Sequence, residues 1–267
     1  MSERVGWDAL PWALRAAIEE RTGEVTGSET VPEGLNCSTA LVLHVRRHGR
    51  LFLKGVHESH LDEVSALCRE ELINETVRGV APAIRHSVKA AGWYCLAFAY
   101  LDGRHADLSA TADREAIGDT LRAMQQLRVP DFPVPPLVER FVGYLKPGEK
   151  ELLVGGHLLH TDTNPHNLMI GHDGGRASVI DWAMPALGPA WVDAANTAVR
   201  IMECEQSPET ALRWLAGFAS WRSADPRAVV AFVEVTCRHW SDRVGERGAA
   251  GSNARFRRLL GFPHKIP

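Results

Sequence analysis

The sequence lacks the features that mark several classes of protein. No apolar run approaches the length of a membrane-spanning helix. The five cysteines are odd in number and include no Cys-x-x-Cys pair, so we expect reduced thiols rather than a disulfide framework or a cysteine zinc site. The net charge of only -3 gives no overall field that favours nucleic acid or an anionic membrane. The opening residues contain no apolar signal core. These features predict a cytoplasmic protein with no nucleic-acid or membrane partner.

Two common catalytic signatures are also missing. The chain has neither a Gly-x-x-x-x-Gly-Lys motif nor a Gly-x-Ser-x-Gly motif, so P-loop and serine-hydrolase interpretations lack support. The composition is that of an ordinary globular protein, with 45% hydrophobic and 24% charged residues. Its 267 residues suffice for one large domain or for two lobes around a shared cleft.

The order of predicted elements divides the chain into two parts. After a short amphipathic helix at 7–20, alternating and apolar runs predict strands at 25–30, 39–46, 50–56, 83–88 and 94–99, with one helix at 61–72. Beyond a linker near Leu101 the pattern is mainly helical, at 113–127, 136–149, 191–203, 208–221 and 226–244. We therefore predict an α+β fold in two lobes. Residues 1–100 form a small antiparallel sheet lobe that carries one helix, and residues 101–267 form a larger, mainly helical lobe.

The segment richest in reactive side chains runs from His160 to Asn167 and is followed by Asp181. Between them, two short apolar strands flank an Asp-Gly turn, which is a strong hairpin signal. Asn167 and Asp181 are equidistant from Gly174, so an antiparallel hairpin would place them opposite each other. An amide oxygen and a carboxylate suit Mg²⁺, and the nearby Asp162 could receive a proton from an incoming hydroxyl.

The pattern His-x-Asp-x-x-x-x-Asn, with an Asp after 13 further residues, resembles the catalytic and metal-binding loops of kinases. More closely, the forms His-Thr-Asp-x-x-Pro-x-Asn, Ile-Asp-Trp and Trp-Val-Asp-Ala resemble the aminoglycoside phosphotransferase and choline kinase-like family. The resemblance covers roughly residues 30–200 and is firmest from 157 to 194. It implies a protein-kinase-like fold and an O-phosphotransferase that uses Mg²⁺ and ATP, with GTP also possible.

The resemblance also implies roles for individual residues in the helical lobe. Asp162 would be the catalytic carboxylate that orients the acceptor hydroxyl, and His160 would support its loop. Asn167 and Asp181 would hold Mg²⁺. Asp193 would brace the catalytic loop from the following helix.

In the sheet lobe the resemblance implies a nucleotide site. Lys54 would reach the α- and β-phosphates and pair with a helix glutamate, for which Glu70 is preferred while Glu63 and Glu71 remain open. Residues 34–39 would cover the phosphates, and Ala99 C=O and Leu101 N–H would meet the adenine. The residues predicted to bind nucleotide are Lys54, Glu70, Gly34, Asn36, Ser38, Ala99 and Leu101.

Several positions depart from the pattern of protein kinases. The phosphate-covering loop has one glycine rather than a Gly-x-Gly-x-x-Gly run. Ala183 stands where protein kinases place the Gly of their Asp-Phe-Gly motif, and Thr161 stands where many carry an Arg that binds a phosphorylated loop. Nine residues separate Asp181 from Trp191, which leaves no long activation segment. These departures argue against a peptide substrate and against switching by loop phosphorylation.

Other functions remain alternatives. Four histidines between 157 and 172 raise the possibility of a zinc hydrolase built on His160, Asp162 and His166, although Asn164-Pro165 breaks the helical spacing that such sites commonly use. A nucleotide-binding module without catalysis is disfavoured because every expected catalytic residue type is present. A kinase of a sugar, choline or amino-alcohol metabolite is the main alternative to an antibiotic kinase. The sequence leaves the oligomeric state open.

The charge distribution bears on the small-molecule hydroxylated acceptor. Polycationic antibiotics need a carboxylate-rich pocket because unpaired cations are costly to desolvate. Residues 201–267 carry ten Lys or Arg and seven Asp or Glu, so no acidic excess is visible in the C-terminal part. We therefore expect a less cationic acceptor than an aminoglycoside, such as a neutral nucleoside-type antibiotic or a sugar derivative.

Overall fold

The computed structural model describes residues 4–32, 37–46, 49–172 and 176–261. The chain forms two compact units. The first contains residues 1–103 together with 180–184, and the second contains 104–179 and 185–267. The boundary after residue 103 lies close to the division expected at residue 100. The expectation that everything after residue 101 belongs to one lobe needs correction, because residues 180–184 group with the first unit.

The first unit is built on a five-stranded sheet of order β1-β2-β3-β5-β4, in which every neighbouring pair is antiparallel. Its strands are β1 (Val25–Thr30), β2 (Thr39–Val45), β3 (Gly49–His57), β4 (Ile84–Ala90) and β5 (Trp93–Ala99). Two helices accompany it, α1 (Trp12–Thr22) and α2 (Leu61–Ile73), and a 3-10 helix spans Trp7–Ala9. The predicted antiparallel sheet is confirmed, with strand ends displaced by only one or two residues.

Each face of this sheet packs against one helix. Because strand side chains alternate, Leu51 and Leu53 of β3 join the α1 side chains in one buried cluster. Phe52 and Val56 pack in a second cluster with Leu67 of α2. The same alternation places Lys54 on the α2 side of the sheet, since it shares the parity of Phe52 and Val56.

The second unit is mainly helical and carries two small sheets. Its helices are α3 (Thr111–Met124), α4 (Glu149–Leu152), α5 (Val192–Glu203), α6 (Pro208–Leu215), α7 (Ala219–Arg222) and α8 (Pro226–Arg258). One sheet pairs β7 (His157–Leu159) with β10 (Ala186–Gly188). The other has the order β6-β8-β9, formed by Gly103–His105, Leu168–Gly171 and Ala177–Val179. 3-10 helices span Leu137–Phe141, Pro165–Asn167 and Leu259–Gly261. Across the described ranges, no helix combines the length and apolar character needed to span a membrane.

The predicted helix at 136–149 is wrong. Only a 3-10 helix at Leu137–Phe141 and the single turn of α4 form there. Gly143 and Gly148 have φ values of +91° and +84°, in the left-handed region that ends a right-handed helix. The apolar spacing in this stretch therefore comes from turns and not from a continuous helix.

One helix begins without a side-chain cap, and another is longer than predicted. The start of α2 has no side-chain cap at His60, and the Ser59 hydroxyl lies 2.7 Å from Nδ1 of His57 instead of capping the helix. Helix α8 continues past residue 244 but is interrupted at Gly245, where φ is 77° and ψ is 157°. Asn253 donates to the carbonyl of Cys237, so the chain folds back on itself after Gly245.

Candidate functional site

Lys54 is the centre of a charged group in the first unit. Its Nζ lies 2.7 Å from Oε2 of Glu70 and 2.7 Å from Oδ1 of Asp181. The other two candidate glutamates contact different groups, because Glu63 accepts a hydrogen bond from Ser38 and Glu71 accepts one from Tyr94. Glu70 is therefore the helix glutamate that pairs with Lys54.

This group is buried and strongly coupled. Lys54 is 9% exposed and Glu70 is 5% exposed. Burial opposes the charge of Lys54, but the carboxylates of Glu70 and Asp181 together raise the pKa of Lys54 above its ordinary value. Lys54 is consequently held as a cation between the two carboxyl groups.

The residue after Lys54 must be small. A Cβ at Gly55 would lie 2.7 Å from Sγ of Cys95 and 2.8 Å from Cγ2 of Thr39, well inside contact distance. Gly55 therefore lets β3 sit between β2 and β5 at the level of Lys54. A larger residue would push β3 away from its neighbours and displace the lysine.

The other residues predicted to bind nucleotide lie in two places, before β2 and at the end of β5. Gly34 and Asn36 lie outside the described residues. Ser38 is described, and its hydroxyl donates to Oε2 of Glu63 at 2.9 Å. Ala99 ends β5 and Leu101 follows it, at the edge of the first unit. Contacts of these residues with a nucleotide stay predictions.

The predicted catalytic loop follows β7 in the second unit and is braced by α5. The two oxygens of Asp193 accept hydrogen bonds from the backbone N–H groups of His160 and Thr161, at 2.7 and 2.8 Å. Thr161 has a φ of +73°, a conformation that a β-branched residue rarely adopts without such support. Burial raises the pKa of Asp193, while these hydrogen bonds and the nearby His160 act in the opposite direction. The bracing contact expected of Asp193 is thus present.

Asp162 is oriented by neutral amides. Nδ2 of Asn164 donates to Oδ1 of Asp162 at 2.9 Å, and Nδ2 of Asn167 donates to Oδ2 at 3.1 Å. Its backbone N–H donates to Nδ1 of His160 at 3.2 Å, so the imidazole contacts the loop backbone. Asn164 was not among the predicted site residues. Its position two residues after Asp162 and just before Pro165 is the sequence signal that an Asx-type turn forms there.

The side chains predicted to hold Mg²⁺ fit a hard cation. Nδ2 of Asn167 also donates to the backbone carbonyl of Asp162 at 2.9 Å. Oδ1 of Asn167 is therefore the side-chain atom that can offer a lone pair to a cation. The side chain of Asp181 is 25% exposed and provides a carboxylate. Mg²⁺ sites of this kind use one or two protein oxygens and complete their shell with phosphate and water. In the described part of the chain, no group of three or more His, Cys, Asp or Glu is arranged to hold a metal ion.

The hairpin that precedes Asp181 has a register different from the one expected. β8 pairs with β9 so that Leu168 faces Val179, one position short of the register that would set Asn167 opposite Asp181. The ladder ends at Val179, and Asp181 has a φ of +65°, outside the strand region. Strand pairing therefore does not place these two residues opposite each other, and the predicted register is wrong by one residue.

Comparison with known proteins extends these observations. The profile of the phosphotransferase enzyme family (APH) matches residues 150–229, which include the predicted catalytic loop, Asp181 and Asp193. No curated protein sequence matches the chain.

Solved structures share the fold along nearly the whole chain. A thermostable mutant of aminoglycoside phosphotransferase APH(4)-Ia, in ternary complex with ADP and hygromycin B, has a TM-score of 0.59 and 12% identity, with 94% of this chain and 98% of that chain covered. The choline kinase LicA from Streptococcus pneumoniae has a TM-score of 0.59 and 13% identity, with 92% and 98% covered. The macrolide 2′-phosphotransferase MphH from Brachybacterium faecium has a TM-score of 0.52 and 16% identity, with 95% and 98% covered.

At these identities the structural likeness establishes the fold, which is kinase-like and α+β as predicted. The family profile covers the segment that contains the predicted catalytic loop. Together they confirm the resemblance to the aminoglycoside phosphotransferase and choline kinase-like family, and with it the prediction that the chain is a phosphotransferase enzyme.

Proposed function

We propose that this enzyme is a small-molecule kinase that transfers the γ-phosphate of ATP to a hydroxyl group of an antibiotic or related natural product, with GTP as a possible second donor. The observation that carries the proposal is the buried Lys54 between Glu70 and Asp181. Phosphoryl transfer depends mainly on positioning and on neutralising charge at phosphate oxygens. A fixed ammonium beside a carboxylate that can take a metal suits both needs.

The second unit would supply the acceptor chemistry. Asp162 would orient the acceptor hydroxyl and accept its proton, since Asn164 and Asn167 fix its carboxylate without neutralising it. Asn167 and Asp181 would hold Mg²⁺, which when bound would offset the charge of the phosphate oxygens. Lys54 would bind the α- and β-phosphates, and His160 and Asp193 would keep the loop in place.

The proposed acceptor is a neutral or weakly charged hydroxylated molecule, with a nucleoside-type antibiotic as the preferred class. In the C-terminal helices, several acids already contact basic side chains of the same chain. Asp225 pairs with Arg227 at 2.7 Å, Glu203 with Arg200 at 2.7 Å, and Glu234 lies 4.0 Å from Arg257. Acids committed to internal cations are poorly suited to bind a polyamine.

A kinase of a metabolite is the alternative that a specific observation favours. The choline kinase LicA shares this fold with the antibiotic phosphotransferases. The same catalytic residues would serve either acceptor, because a fold does not name its substrate. We further propose that the enzyme works in the cytoplasm, in keeping with its five free cysteines.

The proposal is tested by measuring ADP release with a panel of aminoglycosides, nucleoside antibiotics, macrolides, choline and sugars. Mg²⁺-dependent turnover of at least one neutral hydroxylated acceptor is the expected result. A clear preference for polyamines would refute the acceptor class, and the absence of Mg²⁺-dependent nucleotide binding at millimolar ATP would refute the kinase proposal.

The variant Asp162→Asn distinguishes a role in turnover from a role in nucleotide binding. Turnover should fall at least about a hundredfold, because the general base is lost. Nucleotide affinity should stay at the wild-type value, since Asp162 is assigned to the acceptor. The exposed Asp131 of the same unit provides the control variant Asp131→Asn. Wild-type turnover by Asp162→Asn would show that the assigned role is wrong.

A further inference from the structure

The segment 180–184 belongs to the first unit although the chain on both sides of it belongs to the second. Two described contacts join it to the sheet and helix of that unit. Asp181 contacts Lys54 of β3, and the carbonyl of Ala183 accepts a hydrogen bond from Nε of Arg69 of α2 at 2.9 Å. Trp182 and Ala183 of this segment are buried, at 2% and 4% exposed.

The backbone of Asp181 needs support in this position. Its φ of +65° lies in the left-handed region, which aspartate adopts more readily than most residues but still at a cost. Two residues further on, the bond from Arg69 fixes the carbonyl of Ala183. A hydrogen bond with a charged donor is among the stronger ones, so Arg69 restrains the backbone on the C-terminal side of Asp181.

Arg69 and Glu70 are neighbours on α2 and point in different directions, about 100° apart around the helix. Glu70 points to Lys54, and Arg69 points to the backbone of residue 183. One turn of α2 thus contacts both the ammonium and the segment that carries the carboxylate next to it. A shift of this turn would alter both groups at once.

We propose that Arg69 is a positioning residue for Asp181, which holds the carboxylate in the orientation that binds the metal–nucleotide complex. This inference rests on the proposed function of Asp181 and assigns Arg69 no contact with nucleotide or metal. Without Arg69, Asp181 would occupy its binding orientation for only a fraction of the time. The apparent affinity for Mg²⁺ is multiplied by that fraction, and saturating Mg²⁺ restores the competent state.

The test compares the full-length wild type with Arg69→Gln and Arg69→Lys. The control variant is Arg78→Gln, because Arg78 lies just beyond α2, is 67% exposed at its side chain and pairs with the nearby Glu75. Calorimetric titration with ADP at a series of Mg²⁺ concentrations gives the half-saturating Mg²⁺. Hydrogen exchange of the metal-free proteins reports on the backbone of 180–184 without any need for activity.

If the competent fraction falls to about a tenth, Arg69→Gln should raise the half-saturating Mg²⁺ concentration about tenfold. Its affinity for metal-free ADP and its turnover at saturating Mg²⁺ should stay close to wild type. Exchange at 180–184 should become faster in Arg69→Gln, Arg69→Lys should be intermediate, and Arg78→Gln should match the wild type.

Two outcomes would overturn the inference. One is an unchanged Mg²⁺ dependence with unchanged exchange at 180–184. The other is an equal loss of metal-free ADP affinity with faster exchange throughout α2, which would show a general structural role. If Arg69→Gln fails to fold, Arg69→Lys and its exchange at 180–184 carry the test. A wild type that shows no Mg²⁺-dependent binding would refute the proposed function instead, while the exchange comparison would still decide whether Arg69 restrains the segment.

Discussion

The carboxylates assigned to the candidate site are held by different means in the two compact units. In the first unit, Glu70 and Asp181 both contact the ammonium of Lys54. In the second, Asp193 accepts backbone N–H groups and Asp162 accepts the side-chain amides of Asn164 and Asn167. The first arrangement pairs opposite charges, whereas the second surrounds negative charge with neutral donors.

This difference matches the tasks proposed for the two sets of acids. An acid beside a cation is partly neutralised and can exchange one cationic partner for another, which suits binding of a metal and phosphates. An acid held by neutral donors keeps its full charge in a fixed orientation, which suits a group that must receive a proton. The predictions below test whether the two kinds of support differ in strength and in response to pH.

The largest effect is expected from Lys54→Met. The variant leaves the buried Glu70 and the adjacent Asp181 without their cation, and breaking a buried pair in this way costs about 3 kcal/mol. Nucleotide binding should be lost as well. Urea unfolding gives the stability change, and ADP titration gives the change in binding.

The stability cost of leaving the two acids unpaired can be distinguished from the cost of lost packing. If the cost comes from the unpaired acids, adding Glu70→Gln to Lys54→Met should recover part of the stability, because it removes one of them. Lys54→Arg keeps the charge and should lose less than Lys54→Met. A Lys54→Met protein as stable as the wild type would show that the ion pairs contribute little to the fold.

Asp193→Ala should have the next largest effect. It leaves two N–H groups of the loop without their acceptor in a site where Asp193 is 4% exposed, which costs about 2 kcal/mol. Asp193→Asn retains one acceptor oxygen and should lose less stability. Both variants should lose turnover because the backbone at Thr161 is released. Urea unfolding and ADP release measure the two effects, and full turnover by Asp193→Ala would contradict the bracing role.

Much of the first unit could be predicted from the sequence because its signals are local. Apolar runs mark β3 and β5 as strands, and the alternation of side chains along β3 assigns Lys54 to the α2 face. The choice of glutamate could not be made in this way. Glu63 and Glu70 lie seven residues apart on α2 and share a face, so helical periodicity cannot tell which of them reaches the lysine. Their level along the helix decides it, and that level depends on tertiary packing.

Three other features could not be predicted from the sequence, and each has a physical reason. The left-handed backbone at Gly143 and Gly148 ends a helix that the apolar spacing favoured. The β8–β9 register differs by one residue from the predicted one, and the spacing of residue types does not determine such a shift. The contact of Arg69 with Ala183 involves a backbone carbonyl, which every residue has. A pattern of side-chain types therefore contains no sign of it.

Asp113 combines both kinds of support and should show the smallest effect, limited to acidic pH. Its oxygens accept hydrogen bonds from Arg104, including one of 2.8 Å from Nη2, and from the backbone N–H of Asp107 at 2.8 Å. The hydrogen bonds from Arg104, with smaller help from Asp107, lower the pKa of Asp113 below its ordinary value of 3.8. An acid whose pKa is lowered by folding stabilises the protein above its unfolded pKa, and this contribution is lost as the pH falls through the folded pKa. The stability difference between wild type and Asp113→Asn should therefore be largest at pH 7. It should shrink as the pH falls from about 5 to about 2. Urea midpoints measured across this range would give the stability difference. A difference that stayed constant with pH would show that the contribution of Asp113 to stability does not depend on its charge.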